Sequence, residues 1–145
     1  MRPIEFRGKR KDNGEWVYGY YEQFRGIDYI RDSEGFIHEV TRESVGQFTG
    51  LYDSTKWEEL TEKEQKAWLA TGKTKEEWKG KEIYEGDIVN FQGTERDKAT
   101  AKVEFYEGRY IFRLTETIYK DIMGWKNTTV IGNIHDNPEL LEEKK

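Results

Sequence analysis

The feature that most constrains this chain is a β-pattern that is interrupted in its middle. Residues 45–53, VGQFTGLYD, have the composition of a strand that runs into a turn, and residues 80–91, GKEIYEGDIVNF, that of a turn that runs into a strand. The intervening residues are strongly charged and contain three of the five tryptophans. The sequence therefore predicts one integrated β fold in three parts: an N-terminal β region (1–53), a helical insertion (54–79) and a C-terminal barrel-like β region (80–145).

The insertion carries local signals for helix starts and ends. Thr61 and Glu64 form the Thr-x-x-Glu pattern of a capping box, in which both side chains bond to free amides at a helix start. Gly72 is placed to end this helix, because glycine adopts the left-handed conformation without strain. Thr74 and Glu77 repeat the pattern shortly before the β-pattern resumes. We predict one short helix followed by about one further helical turn.

Turn residues divide the rest of the chain into short alternating segments. Gly19 lies inside the strand-like residues 16–24 and indicates a bulge or a close backbone approach. A last strand is predicted at residues 124–134, and Pro138 then indicates a short helical turn. The turn spacing of about 8–12 residues is typical of a small barrel or sandwich. We predict a mainly β fold of small, barrel-like antiparallel sheets, with hairpin turns at residues 13–14, 32–35 and 107–108.

The composition bears on what fills the core. Hydrophobic residues make up only 34% of the chain, but aromatic residues account for 14%. Because each large ring buries much apolar area, we expect a folded protein in which aromatic rings, and not branched aliphatic side chains, fill the interior.

Catalytic and metal-binding patterns are weak. Cysteine is absent, which excludes disulfides, thiolate metal sites and cysteine nucleophiles. His38 and His135 have no serine or acidic partner at a recognised motif spacing, so we interpret both as structural or surface residues. Glu85 and Asp87 flank a glycine that could aim both carboxylates at one point, but we favour a turn-forming role for Asp87. We expect no enzymatic activity, no catalytic residues and no metal or cofactor.

The aromatic content also suggests a nucleic-acid interface, which we keep as the alternative. Small β-barrels bind single strands through exposed rings beside a positive groove. The net charge of −5 argues against tight binding to phosphates. Trp16, Tyr18 and Tyr20 would also share one strand face, which is more often buried than exposed. The candidate stacking rings are Trp16, Tyr18, Tyr20 and Tyr29, and the candidate phosphate partners are Arg7, Lys9, Arg10 and Arg25.

Three segments together resemble the YopX family, small proteins encoded mainly by bacteriophages and prophages. They are FRGKRKDNGEWVYGYY, VGQFTGL with its separated partner GKEIYEGDIV, and VIGNIHDNPELL. The resemblance covers nearly the whole chain outside residues 54–79. It implies a mostly β, barrel-like fold, a tendency to self-associate and no established biochemical activity.

Protein association is the class of function that we favour from the sequence. Trp57, Trp68 and Trp78 are the predicted anchors of a contact, since tryptophan is frequent in interface hot spots. Packing of these rings on their own chain is equally compatible with the sequence, and in either case we expect them to be buried. We expect an accessory protein of a phage or prophage that forms a homo-oligomer and has a possible phage or host protein partner. With no apolar leader and no long apolar run, we expect it in the bacterial cytoplasm and not in a membrane.

Overall fold

The computed structural model describes residues 5–92, 98–114, 119–121 and 126–141. Within these ranges the chain forms eleven β-strands, in two antiparallel sheets, and one α-helix. The first sheet contains β1 (Phe6–Lys9), β2 (Trp16–Phe24), β3 (Ile27–Arg31), β4 (Ile37–Glu39), β5 (Gly46–Tyr52) and β6 (Glu82–Tyr84). The second contains β7 (Asp87–Gln92), β8 (Lys98–Tyr106), β9 (Arg109–Arg113), β10 (Tyr119–Asp121) and β11 (Lys126–Asn133).

The strand order of the first sheet is β4-β3-β2-β1-β5-β6. The predicted hairpins β1–β2 and β3–β4 are confirmed, and β2 also pairs with β3. Gly19 in β2 marks a close backbone approach, because a Cβ atom there would lie 1.9 Å from the carbonyl oxygen of Arg31. This confirms one of the two roles predicted for Gly19. Ile4, where the alternating pattern begins, lies outside the described residues.

The strand order of the second sheet is β10-β9-β8-β7-β11. The predicted β8–β9 hairpin is confirmed, with Glu107 and Gly108 both at positive φ. Pro138 begins a short 3-10 turn, Pro138–Leu141, as expected. Gly124 and Trp125, at the start of the predicted last strand, lie outside the described residues. No closed barrel is found among the described residues, so the expected barrel is not confirmed. One bridge, between Arg10 and Val40, joins the end of β1 to the residue after β4.

The core corrects the expectation that rings fill the interior. Most of the buried hydrophobic side chains are aliphatic, because the strands that face the interior are rich in isoleucine and valine, which suit a pleated surface. The four described tryptophans are only half-buried, as is common for a ring with a polar N–H group. The central cluster consists of Ile83, Val89, Phe91, Ala101, Val103 and Phe112.

The insertion contains α1 (Glu62–Ala70) between two 3-10 turns, Trp57–Glu59 and Lys75–Glu77. The predicted capping box is confirmed: the Glu64 amide donates to Thr61 Oγ1 at 3.1 Å, and the Thr61 amide donates to Glu64 Oε1 at 3.0 Å. No residue of α1 is buried. No described helix has the length and apolar character needed to cross a membrane.

The tryptophans of the insertion pack against one another. The Trp78 ring lies between Trp57, at a centroid distance of 6.3 Å, and Trp68, at 5.1 Å. The indole N–H of Trp78 donates to the carbonyl of Thr55, and that of Trp68 to the carbonyl of Thr74. These contacts lie within one chain, and the expectation that the three rings are buried is wrong because each remains partly open to solvent.

The two ends of the insertion are joined by the backbone of the first sheet. The Asp53 amide donates to the carbonyl of Lys81 at 2.8 Å. Gly80 has φ +115°, and a Cβ atom there would lie 2.1 Å from the carbonyl oxygen of Asp53. Pairing of β5 with β6 therefore continues up to the base of the insertion.

This geometry predicts that the scaffold folds without the insertion. Replacing residues 54–79 by a short glycine-containing turn should preserve the β signal in far-ultraviolet circular dichroism, because the flanking strands stay paired. A matched control carries the same replacement with Asp53→Ala, which removes a carboxylate that also bonds to Lys81 and Val130. We expect the control to unfold at lower denaturant concentration. Loss of the β signal in the first variant would show that the insertion is required for the fold.

Candidate functional site

A cavity of about 360 Å³ lies where the first sheet meets the insertion and the second sheet. Its wall combines aromatic rings with charged side chains from β1, the insertion and the segment that follows it. The rings come from β2, β5 and β6 and from the insertion. The lining residues are Arg7, Tyr18, Tyr52, Trp68, Lys73, Trp78, Gly80, Lys81, Glu82, Tyr84, Asp87 and Val130.

A buried ion pair forms the floor of this cavity. Nη2 of Arg7 in β1 lies 2.7 Å from Oδ1 of Asp87 in β7, with side chains that are 8% and 2% exposed. Asp87 Oδ2 also accepts a hydrogen bond from the Tyr84 amide at 2.7 Å. Burial raises the pKa of Asp87, while the Arg7 charge opposes that shift. The turn-forming role predicted for Asp87 is confirmed, and the partner from β1 adds a link between the two sheets.

The Arg7 guanidinium is held between two rings. Its central carbon lies 4.6 Å from the Trp16 centroid and 4.9 Å from the Tyr84 centroid. Its Nε is buried and has no hydrogen-bond partner among the described residues. Cation–π contacts and one carboxylate therefore provide most of the stabilisation of this charge.

A second acidic group of the cavity is Glu82 in β6. Burial and the neighbouring carboxyl of Glu5 raise the pKa of Glu82 to about 7, because each disfavours its charged form. Burial and the same two carboxyls raise the pKa of Tyr84. The cavity therefore holds a titratable negative charge beside aromatic walls.

The lysines of the cavity differ in their partners. Lys81 Nζ lies 3.3 Å from Glu64 Oε2. Lys73 Nζ lies 4.7 Å from the centroid of the Trp68 ring. One ammonium group of the protein therefore already lies over an aromatic wall of the cavity. Of the three predicted anchors, the cavity includes Trp68 and Trp78, whereas Trp57 lies outside it.

A second feature is a row of exposed hydrophobic side chains, which we call the β2–β4 face: Tyr20, Phe24, Ile27 and Ile37. Phe24 pairs with Ile27 across β2 and β3, while Tyr20 and Ile37 both pair with Arg31. Directly paired residues point to the same side of a sheet, so the four share one surface. Tyr20 is 64% exposed, Phe24 63% and Ile37 50%. The expectation that the Trp16 to Tyr20 face is buried is therefore wrong at Tyr18, which is 43% exposed, and at Tyr20.

The β2–β4 face could have been found from the alternation of β2. Tyr20 and Phe24 are separated by an even number of positions, as strand residues on one face must be. The sequence does not show that this part of the first sheet lacks a covering layer. That depends on where the second sheet packs.

The predicted nucleic-acid residues do not form a free positive groove. Arg7 is buried against Asp87, Lys9 forms an ion pair with Asp136, and Arg10 forms one with Asp12. These carboxylates compete with phosphates for the cations, and the chain is net negative. Of the remaining candidates, Trp16 donates to Asp136 at 2.8 Å, Arg25 lies over the Phe24 ring at 5.2 Å, Tyr18 lines the cavity and Tyr29 is half-buried in β3.

Neither histidine is among the residues that line the cavity. His38 Nε2 is 2.8 Å from Asp32 Oδ2 within the β3–β4 hairpin. The His135 ring packs 5.8 Å from the Trp16 ring, and burial lowers its pKa. His135 nevertheless lies beside the Arg7–Asp87 pair: its Nε2 is 3.6 Å, and Arg7 Nη2 is 3.9 Å, from the position that a Cβ atom on Gly86 would occupy.

Comparison with known proteins identifies one family. A family model described as YopX protein matches residues 70–142. Among solved structures, the chain is similar to protein EF1440 from Enterococcus faecalis, with 19% sequence identity, coverage of 98% of this chain and 100% of that chain, and a TM-score of 0.49. No curated protein matches the chain.

Proposed function

This chain belongs to the YopX family, and we propose that it is a non-enzymatic binding protein that associates with a second copy of itself through the β2–β4 face. The observation that carries the proposal is the exposure of Tyr20, Phe24, Ile27 and Ile37 on one side of the sheet. Apolar side chains that are exposed together on one face of a sheet often mark interaction sites, and here they alternate with the charged residues Glu22, Arg31 and Glu39.

The charges around the β2–β4 face support a second copy as the partner. The chain carries a net charge of −5, which would repel a second copy over most of its surface. On this face, however, Arg31 Nε lies 2.8 Å from Glu22 Oε1, and Lys11 Nζ lies 3.2 Å from Glu39 Oε2. Locally balanced charge allows two identical faces to meet in a two-fold arrangement.

The edge of the first sheet is only partly open to a partner. The short strand β4 ends the strand order and bears Ile37. Its C-terminal end is already bonded to the end of β1, because the Lys11 amide donates to the carbonyl of Glu39 at 3.1 Å and Arg10 bridges Val40. A contact at β4 would therefore depend mainly on the Ile37 side chain and not on backbone pairing along the whole strand.

We expect light scattering at micromolar concentration to give a mass that is an integral multiple of 17.3 kDa. Ile37→Arg should shift the protein to monomer, because the contact would then bury two added charges. Leu69→Arg is the matched control: Leu69 is 49% exposed, as Ile37 is 50% exposed, but it lies on α1. A monomeric wild-type protein, or equal effects of the two variants, would contradict the proposal.

The biological setting in this proposal comes from family membership alone. An accessory role in a bacteriophage or prophage, with a phage or host protein as a further partner, is what membership of the YopX family suggests. We do not propose nucleic-acid binding as a second function, because Lys9 and Arg10 have carboxylate partners.

A further inference from the structure

The cavity beside the insertion has a chemistry of its own, which does not depend on the β2–β4 face. We propose that this cavity binds the ammonium group of a small organic cation, with the rings of Tyr18, Trp68 and Trp78 as its walls and Glu82 as the counter-ion. The cavity volume of about 360 Å³ falls within the range of small-ligand pockets.

The walls favour a cation over a neutral ligand. Rings attract ammonium groups through the negative potential of their faces, and alkyl substituents on the nitrogen add apolar contact. The protein itself shows this preference, because Lys73 Nζ lies over the Trp68 ring and Arg7 lies over the Tyr84 ring. Tyr18 and Tyr52 are each partly exposed, so the rings can be reached from solvent.

The ion pairs of the cavity leave one carboxylate for a ligand cation. Arg7 is neutralised by Asp87, and Lys81 lies close to Glu64. The other charged residues of the lining are Glu82 and Lys73. A bound cation would therefore compete with the Lys73 ammonium for Glu82.

We expect Glu82 to release its proton when the cation binds. A cation beside Glu82 favours its ionised form, so affinity should rise as the pH increases from about 6 to about 8. The groups that bear on Glu82 act in opposite directions: Glu5 raises its pKa, whereas Lys73 lowers it. The other titratable or charged groups at the cavity are Tyr18, Tyr52, Tyr84, Lys81, Arg7 and Asp87.

The experiment compares two probes of the same shape and different charge. Choline and 3,3-dimethyl-1-butanol are titrated into the full chain at about pH 8, above the pKa of about 7 of Glu82, with binding measured by calorimetry and tryptophan fluorescence. We expect choline to bind about tenfold more tightly, because ring faces attract a cation and not its neutral isostere. Butyrate is the anionic probe, and we expect it not to bind.

Single substitutions that nearly preserve side-chain shape test whether Glu82 acts as the counter-ion. Glu82→Gln should weaken choline binding about tenfold and leave the neutral probe unchanged, because it removes charge at nearly constant shape. Lys73→Gln should strengthen choline binding at the same pH by removing a competing cation. Lys75→Gln is the matched control, since Lys75 is an exposed lysine of the insertion outside this cavity.

Each outcome of these titrations either supports or contradicts the proposed cation site. Preference for choline, its loss in Glu82→Gln and its gain in Lys73→Gln would support the proposal. Any of four results would overturn it: equal affinity for the two isosteric probes, binding of butyrate alone, no binding of choline, or unchanged choline affinity in Glu82→Gln. None of these results depends on the mass measured by light scattering, so this proposal and the association proposal can fail separately.

Discussion

Asp87→Ala should lower the free energy of unfolding by about 3–5 kcal/mol, the usual cost of removing one partner of a buried ion pair. The guanidinium of Arg7 would remain buried without its carboxylate, and its Nε already has no hydrogen-bond partner in the described part of the chain. The Tyr84 amide would lose the acceptor that it now has at 2.7 Å. Because Arg7 belongs to the first sheet and Asp87 to the second, the loss should weaken both together.

Urea denaturation followed by circular dichroism measures this effect, and two variants define its origin. Asp87→Asn keeps an acceptor for the Tyr84 amide but removes the charge, so it should lie between the wild type and Asp87→Ala. The double variant Arg7→Met with Asp87→Leu should recover most of the loss, since apolar pairs often replace buried ion pairs without penalty. A loss below about 1 kcal/mol in Asp87→Ala would be typical of an exposed pair and would contradict the buried role.

The parts of the fold that the sequence predicted correctly depend on local chemistry. The helix start at Thr61 and Glu64 is determined by side chains three positions apart. The β8–β9 turn is determined by two residues, Glu107 and Gly108, that must both adopt positive φ. Signals of this kind are complete within a few residues, and packing elsewhere in the chain does not change them.

The parts that the sequence did not predict depend on contacts between distant segments. The strand β6 continues the first sheet, although in the sequence it resembles the start of the strands that form the second. The core was expected to consist of rings because aromatic residues are numerous, but composition does not say which side chains face inward. Ile88, Val89 and Val103 are fully buried, while Tyr20 and Phe24 are not.

The candidate site was likewise predictable only in part from the sequence. Trp68 and Trp78 were identified from the sequence because large rings are rarely without a packing or binding role. Their place in a cavity with Arg7 and Glu82 was not predictable, because the cavity is assembled from β1, β6 and the insertion. The raised pKa of Glu82 likewise arises from burial and from Glu5, which is distant in the sequence.

Asp53→Ala should lower the free energy of unfolding by about 2–4 kcal/mol, because buried donors that lose their acceptor cost about 1–3 kcal/mol each. Asp53 is 4% exposed. Its Oδ1 accepts from the amides of Thr55 and Lys81, both within 2.9 Å. Its Oδ2 accepts from the Thr55 hydroxyl and from the Val130 amide, both at 2.9 Å. One carboxylate therefore connects the insertion, the approach to β6 and strand β11.

Hydrogen exchange of individual amides tests this role more directly than global stability does. In Asp53→Ala the amides of Lys81 and Val130 should exchange faster than those of neighbouring residues, since their acceptor is gone. Thr55→Val is the matched control, because it removes one hydrogen bond to the same carboxylate and leaves both of those amides bonded. It should cost less than about 1.5 kcal/mol, the upper end of the net value of a typical hydrogen bond. If both variants changed exchange equally, the link between the sheets would depend on the conformation of the insertion and not on Asp53.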